Sequence, residues 1–368
     1  MPSASSTSVV SPPGQPCRPE AMRIWYTRCP LPTASSIAIE RGMLDDEFRA
    51  DGIVVQSLNA SSDMAVREAH YNHGQTNLFR QGGNIPPIWS RSRGADTVVV
   101  ATNWIDEYQA IVALPSSGIQ NAADLRGKRL GMPRRLNEQI DYWRAMCLRG
   151  YLAALEIAGL EPNDVEFVDL PIDEKQIPTG GASQRGTLWR GANRARRQSR
   201  EALALIRGEI DAIYTAGAPG AQLSSFMGAS TVVDLGAHAD SGSRVNNQVP
   251  TVLTVDGELA RSAPETVARY LAALMQAARW AHEHEAETLG IVGGDVGATP
   301  EWVTAAYGAE VHDRLALELD ERSIAAVAAQ KAFLLGNGFI DKDFDAGAWI
   351  DPRPLELARG MDHERRLG

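Results

Sequence analysis

Early in this 368-residue chain, a thiol, an imidazole and a guanidinium occur in settings that would expose them to a ligand. Cys29 closes the run Trp25-Tyr26-Thr27-Arg28-Cys29-Pro30, where a strand-like apolar stretch gives way to a turn. His70 comes ten residues before Arg80, and Arg80 opens Arg80-Gln81-Gly82-Gly83-Asn84-Ile85-Pro86-Pro87. Such a set suits chemistry on a small oxyanion. A planar guanidinium holds two oxygens at once and stays charged. The backbone N–H groups of Gly82 and Gly83 would add donors, because glycine permits close approach. A cysteine in this setting acts as nucleophile or as proton donor. His70 would orient or deprotonate it, or hold the anion, with His73 as a rival and Gln75 as a lesser partner. Each residue also has a plainer reading: an inert buried thiol, a solvated loop histidine, an arginine in a surface ion pair.

The elements around these residues alternate. Met22–Thr27 reads as a strand, Thr33–Arg41 as a helix stopped at Gly42, and Ile53–Leu58 as the next strand, which together suggest a βαβ unit. Ala95–Ala101 holds a continuous apolar run of the kind found in buried parallel strands, and Asp106–Leu114 supplies another. Ile119–Met132 reads as a capped turn followed by a strand. Ile140–Ile157 reads as a long helix stopped at Gly159, and Val165–Leu170 as a strand. Asp173–Arg194 is a long polar, Gly-rich stretch expected to be a loop. Ser199–Ile206, Pro264–His282 and most of the chain to Leu335 read as helical, with strands at Glu209–Tyr214, Thr231–Leu235 and Val252–Val255. The pattern predicts an α/β protein of two lobes. We expect a tail over 1–21, one lobe from 22–115 plus 237–368, and a second from 116–236. Ligands of such folds bind between lobes, at carboxyl ends of strands, which is where Cys29 falls.

Composition narrows the partners. Hydrophobic content of 44% and charged content of 22% are ordinary for a globular protein. A net charge of −10 argues against nucleic acid or an anionic membrane as partner. The basic run Arg194–Arg197 reads as a solvated segment. The first residues lack the basic and apolar regions of a secretory signal, and no run is long enough to span a bilayer, so a cytoplasmic location is expected; the chain is also expected to be a monomer. The three cysteines, Cys17, Cys29 and Cys147, fit no metal spacing and suggest free thiols in a reducing compartment. Cys147 lies in a helical stretch and reads as a small buried hydrophobe. No nucleotide fingerprint is evident. Tyr71, Phe79, Trp89 and Trp104 would line an aryl pocket or simply pack in the core.

Three segments, Asp124–Gly131, Gly208–Tyr214 and Pro264–Leu271, resemble type II periplasmic solute-binding proteins of the nitrate/sulfonate/taurine class. A narrower likeness rests on Tyr26-Thr27-Arg28-Cys29-Pro30, on His70 with Gln75, on Arg80–Pro87, and on the stretch from Lys331 to Trp349. These resemble the aryl sulfinate desulfinases of the dibenzothiophene sulfur-removal pathway. The resemblance implies the two-lobed binding-protein-like fold with the site in the interlobe cleft. It implies cofactor-free, hydrolytic cleavage of a carbon–sulfur bond in a hydroxybiphenyl-type or related aryl sulfinate, with release of sulfite. Cys29, His70 and Arg80 would be catalytic, and Gly82, Gly83, Gln75, Thr27 and Arg28 would contact substrate. Cys29 would attack sulfur as thiolate or protonate the ring carbon as thiol. The chain departs from the family at Arg28, where the biphenyl enzyme carries a small neutral amide, and at Met146, where a pocket tryptophan is expected. The stretch from Gly180 to Arg197 is also longer and more basic, with Trp189 as a substitute for an aromatic gate. A solute receptor for sulfonates or aromatic acids is the alternative, and an intracellular sensor or thiamine-precursor-type enzyme a third reading.

Overall fold

A computed structural model describes residues 22–174 and 198–367. The opening alternation folds as β1 (Arg23–Arg28), α1 (Ala34–Glu40), α2 (Met43–Arg49), β2 (Val54–Ser57), α3 (Met64–Asn72), β3 (Leu78–Gly82), α4 (Ile85–Ser92) and β4 (Thr97–Asn103). It continues through β5 (Gln109–Ala113), β6 (Arg129–Arg135), α5 (Tyr142–Ala158), β7 (Glu166–Ile172), β8 (Ile213–Ala216), β9 (Ser230–Asp234) and β10 (Thr251–Asp256). The long helix Pro264–Glu283 and further helices through Arg353–Leu367 complete the described chain.

The first sheet has the order β2-β1-β3-β10-β4. β1 lies parallel to β2 and β3, while β10 runs antiparallel between β3 and β4. The apolar run of β4, expected in a parallel ladder, therefore pairs antiparallel with β10; burial on both faces gives the same sequence signature in either ladder. The second sheet has the order β8-β5-β9, with the parallel pair β6-β7 joined to it where Gly131 N–H donates to the Ala212 carbonyl. Gln109–Ala113, expected in the first lobe, is hydrogen-bonded into this second sheet against Ile213 and Val233. The chain thus crosses between sheets twice, between Asn103 and Gln109 and between Asp234 and Thr251.

Local chemistry explains the element ends. Thr33 caps α1 by accepting from Ser36 N–H, and Asp63 caps α3 by accepting from Ala65 N–H. Asp141 caps α5, and Gly159 ends it in the left-handed conformation, as its position predicted. Asn121 and Asp124 form a reciprocal capping box before β6. One core gathers the Ile24 and Tyr26 face of β1, α1 and Pro264–Glu283; another gathers Cys29, Tyr71, α5 and Trp349. Trp349 N-terminal to the last helix covers the β4 edge, its indole N–H donating to Thr97 Oγ1 at 3.1 Å. Cys147 is buried, as expected. The expectations at Cys17, Trp189 and Arg194–Arg197 lie outside the described residues. Among the described residues no helix is long and apolar enough to cross a membrane.

Candidate active site

Period-two alternation along β1 sorts its last residues. Thr27 and Cys29 face α3, whereas Arg28 faces the opposite side and is buried against Asp295, Ser36 and Glu40. The expectation that Arg28 contacts substrate is corrected by this geometry: it is a structural ion pair behind the strand that carries Cys29. β1 and β3 pair with Thr27 opposite Arg80, and α3 is the crossover between these strands, with β2 leading into it. That arrangement brings His70 and Arg80 to Cys29.

The three groups meet closely. Cys29 Sγ lies 3.7 Å from His70 Nε2 and 3.7 Å from Arg80 Nη2. His70 Nδ1 lies 2.8 Å from Thr27 Oγ1. Arg80 Nε donates to the His70 carbonyl at 2.9 Å, and Nη1 donates to the Gly83 carbonyl at 2.9 Å. Two of the three guanidinium nitrogens are therefore tied to backbone, and Nη2 is the one turned to the sulfur. Arg80 is fully buried, and among the described residues no carboxylate pairs with it.

Electrostatics follows from this burial. Desolvation, reinforced by the Arg80 charge, holds the His70 imidazole well below its ordinary range, so it is neutral. His73 is held down to about 3 by burial and by Arg80; it is clamped between Ser90 Oγ at 2.9 Å and Thr254 Oγ1 at 3.0 Å, away from the sulfur. Burial also draws the Arg80 guanidinium below its usual value.

The glycines expected as donors have a further, steric reason. A Cβ on Gly82 would collide with the Cys29 side chain, and one on Gly83 with the Asn247 amide. Gln75 sits half-buried in the bend after α3 and is not among the residues lining the small space beside Cys29. Phe79 stacks on Tyr270 in the core, with ring centroids 3.8 Å apart; Trp89 and Trp104 also lie away from the cleft, and Met146 is core.

Sequence reasoning missed three wall residues: Tyr142, which opens α5, and Asn247 and Gln248 in the second crossing between sheets. Tyr142 stacks against Tyr71 with centroids 6.3 Å apart. The Asp141 cap ahead of an aromatic-rich helix was the available signal for Tyr142. Nothing in the local pattern marked Asn247, whose backbone carbonyl accepts from Asn84 N–H and whose Oδ1 accepts from Ile85 N–H. The free space beside Cys29 is only ≈ 20 Å³, about that of a single water. A larger cleft of ≈ 320 Å³, lined by Tyr26, Leu44, Asp45 and Gln56, shares no residue with it and holds no comparable trio. Among the described residues no group of three or more His, Cys, Asp or Glu side chains is placed to hold a metal.

Residues 48–182 match the family described as NMT1/THI5 like. The chain is 29% identical over 351 residues to 2′-hydroxybiphenyl-2-sulfinate desulfinase of Rhodococcus erythropolis, covering 90% of this chain and 92% of the relative, and the same holds for that of Rhodococcus qingshengii. The crystal structure of a cysteine-to-serine mutant of DszB in complex with biphenyl-2-sulfinic acid superposes with a TM-score of 0.73 at 26% identity, covering 92% of this chain and 99% of that one. The periplasmic aliphatic sulphonate binding protein SsuA from Escherichia coli shares the fold alone, with a TM-score of 0.62 at 16% identity over 89% of this chain and 91% of that one. The protein therefore carries the two-lobed type II periplasmic-binding-protein-like fold and is similar, along nine tenths of its length, to 2′-hydroxybiphenyl-2-sulfinate desulfinase.

Proposed function

We propose that the protein is a cofactor-free desulfinase that cleaves the carbon–sulfur bond of an aryl sulfinate and releases sulfite. One observation carries the reading: a fully buried guanidinium with no carboxylate partner among the described residues stands 3.7 Å from a thiol. A buried cation is costly unless an anion joins it. A sulfinate supplies that anion and delivers its sulfur-bearing carbon to the thiol. The names of the relatives support the substrate class, as does the biphenyl-2-sulfinic acid complex of DszB.

In this reading Arg80 Nη2 and the Gly83 N–H hold the sulfinate oxygens, and the ring packs on Tyr71, Tyr142 and Pro86. The Cys29 thiol gives its proton to the ring carbon bearing sulfur. The carbon–sulfur bond breaks, its electron pair returns to the ring, and sulfur dioxide leaves. Water adds to sulfur dioxide to form hydrogen sulfite, and the proton released restores the thiol. The balance is sulfinate plus water to arene plus hydrogen sulfite. His70 stays neutral and steadies the negative charge that grows on sulfur during proton transfer. The cleft is too small for a biaryl as it stands, so entry requires its walls to part, with Tyr142 moving from Tyr71.

The test is sulfite release from 2′-hydroxybiphenyl-2-sulfinate by the wild type beside Cys29→Ser. Sulfite from the wild type alone is expected. Equal rates from both proteins would end the Cys29 mechanism. The alternative reading as a sulfonate receptor is supported by the shared fold alone, and it predicts ligand binding with no sulfite from either protein.

A further inference from the structure

Thr27 entered the site as an expected substrate contact, but its hydroxyl is turned to the imidazole instead. It is 4% exposed, at the end of β1 opposite Arg80 of β3 and beneath α3, so water does not serve it. Its Oγ1 has one side-chain partner among the described residues, His70 Nδ1 at 2.8 Å. A neutral imidazole carries one proton, and the partner of one ring nitrogen decides which nitrogen holds it.

Two arrangements satisfy that distance. With the proton on Nδ1, the imidazole donates to Oγ1, and the buried threonine O–H is left with no acceptor among the described residues. With the proton on Nε2, the threonine O–H donates to Nδ1, and neither group is left unsatisfied. Buried donors without acceptors are disfavoured, so the second arrangement is selected. It turns an N–H, not a lone pair, toward Cys29 Sγ at 3.7 Å. Arg80 Nη2 directs a second N–H at the same sulfur from 3.7 Å.

We infer that Thr27 is a positioning residue that fixes the Nε2–H tautomer of His70, so that two donors converge on the Cys29 sulfur as it gives up its proton. This inference rests on the desulfinase reading for its catalytic consequence, but the tautomer itself does not. The donors are set in place before reaction by β1, β3 and α3 and need no reorganisation. Burial keeps the imidazole neutral, so the tautomer is defined across the working pH range.

The experiment has two arms. In the first, nitrogen-15 histidine labelling and long-range proton–nitrogen correlation read the tautomer of His70 in the wild type, with a His70→Asn sample to assign the signal. The Nε2–H form is expected, and the Nδ1–H form would overturn the inference. In the second, Thr27→Val removes the hydroxyl at nearly constant shape, and Thr27→Ser restores it. Thr27→Val is expected to shift the His70 signal toward the other tautomer and to lower kcat by about tenfold or more, with KM within about twofold of wild type, because a misassigned tautomer fails in the chemical step rather than in binding. Thr27→Ser is expected to recover both. An unchanged kcat in Thr27→Val, or a loss that Thr27→Ser fails to recover, would also overturn it. If Thr27→Val does not fold, the wild-type spectrum decides alone. A wild type that shows the Nε2–H form but releases no sulfite would strike the desulfinase reading and leave the tautomer assignment standing.

Discussion

Replacing Gly82 by alanine tests whether the close contact of β1 and β3 sets the thiol. The added Cβ would lie 2.7 Å from Cys29 Cβ and 3.3 Å from its backbone nitrogen, as well as colliding with Sγ. Carbon atoms rest at roughly 3.5–4.0 Å, so the two strands or the thiol must give by about 1 Å. The strands resist, because Cys29 N–H donates to the Gln81 carbonyl at 3.0 Å across that pair. Overpacking of this kind costs about 1–3 kcal/mol. The φ of +158° at Gly82 adds strain of about 1 kcal/mol or more. The sulfur is the atom freest to move, and a displacement of about 1 Å from Arg80 and His70 is expected to lower kcat by about a hundredfold. Gly94→Ala serves as the control, since its φ is +96° but nothing lies within 4 Å of the added Cβ. It should lower the unfolding midpoint through strain and leave kcat unchanged. Sulfite release and urea unfolding on both variants separate collision from strain. A Gly82→Ala protein with kcat within twofold of wild type would refute the reasoning.

Arg80→Lys should raise KM for an aryl sulfinate by about 10–100-fold, because a lysine cannot keep both the His70 and Gly83 carbonyls and still face the sulfur; direct substrate titration checks it. Tyr142→Ala should raise KM for the biphenyl substrate by about tenfold with little change in kcat, from loss of one ring face. A fall in kcat at constant KM would instead put Tyr142 in the chemistry. Both histidines are depressed in the folded state, His73 to about 3 and His70 well below its ordinary value. Their contribution is thus complete above the unfolded value of about 6.5 and is lost as pH falls toward their folded values. Urea unfolding should show stability dropping from pH 6.5 to pH 5 by up to about 1.4 kcal/mol per pH unit for each histidine, and His73→Asn should flatten that slope.

The trio of Cys29, His70 and Arg80 was legible because residue type and spacing carry chemistry even before folding: Cys29 follows a strand, and Arg80 precedes a glycine pair. Helix stops at Gly42 and Gly159 were legible for a similar reason, since each adopts a positive φ that glycine tolerates. Arg28 was misjudged although the information was present. Residues two apart on a strand share a face, so Thr27 and Cys29 exclude their neighbour. The helix α3 escaped notice because it is short, Met64 to Asn72, with polar and apolar residues interleaved, and its stability comes from the Asp63 cap and from packing of Ala69 and Tyr71. Asn247 and Gln248 were beyond reach for a different reason. They come to Cys29 only because the chain re-enters the first sheet, a long-range event that no local window records.

That re-entry has a consequence for synthesis. Strands β3 and β4 are not neighbours; β10 fills the gap between them. As the chain emerges from the ribosome, the second sheet has all its strands by Asp234, while Arg80 still sits on an open ladder. The strand that closes it, Thr251–Asp256, arrives after that sheet, and Asn247 arrives with it. The cleft beside Cys29 is therefore completed only after the second sheet, and a nascent chain cut off before residue 251 exposes the edge of β3 to whatever strand it meets.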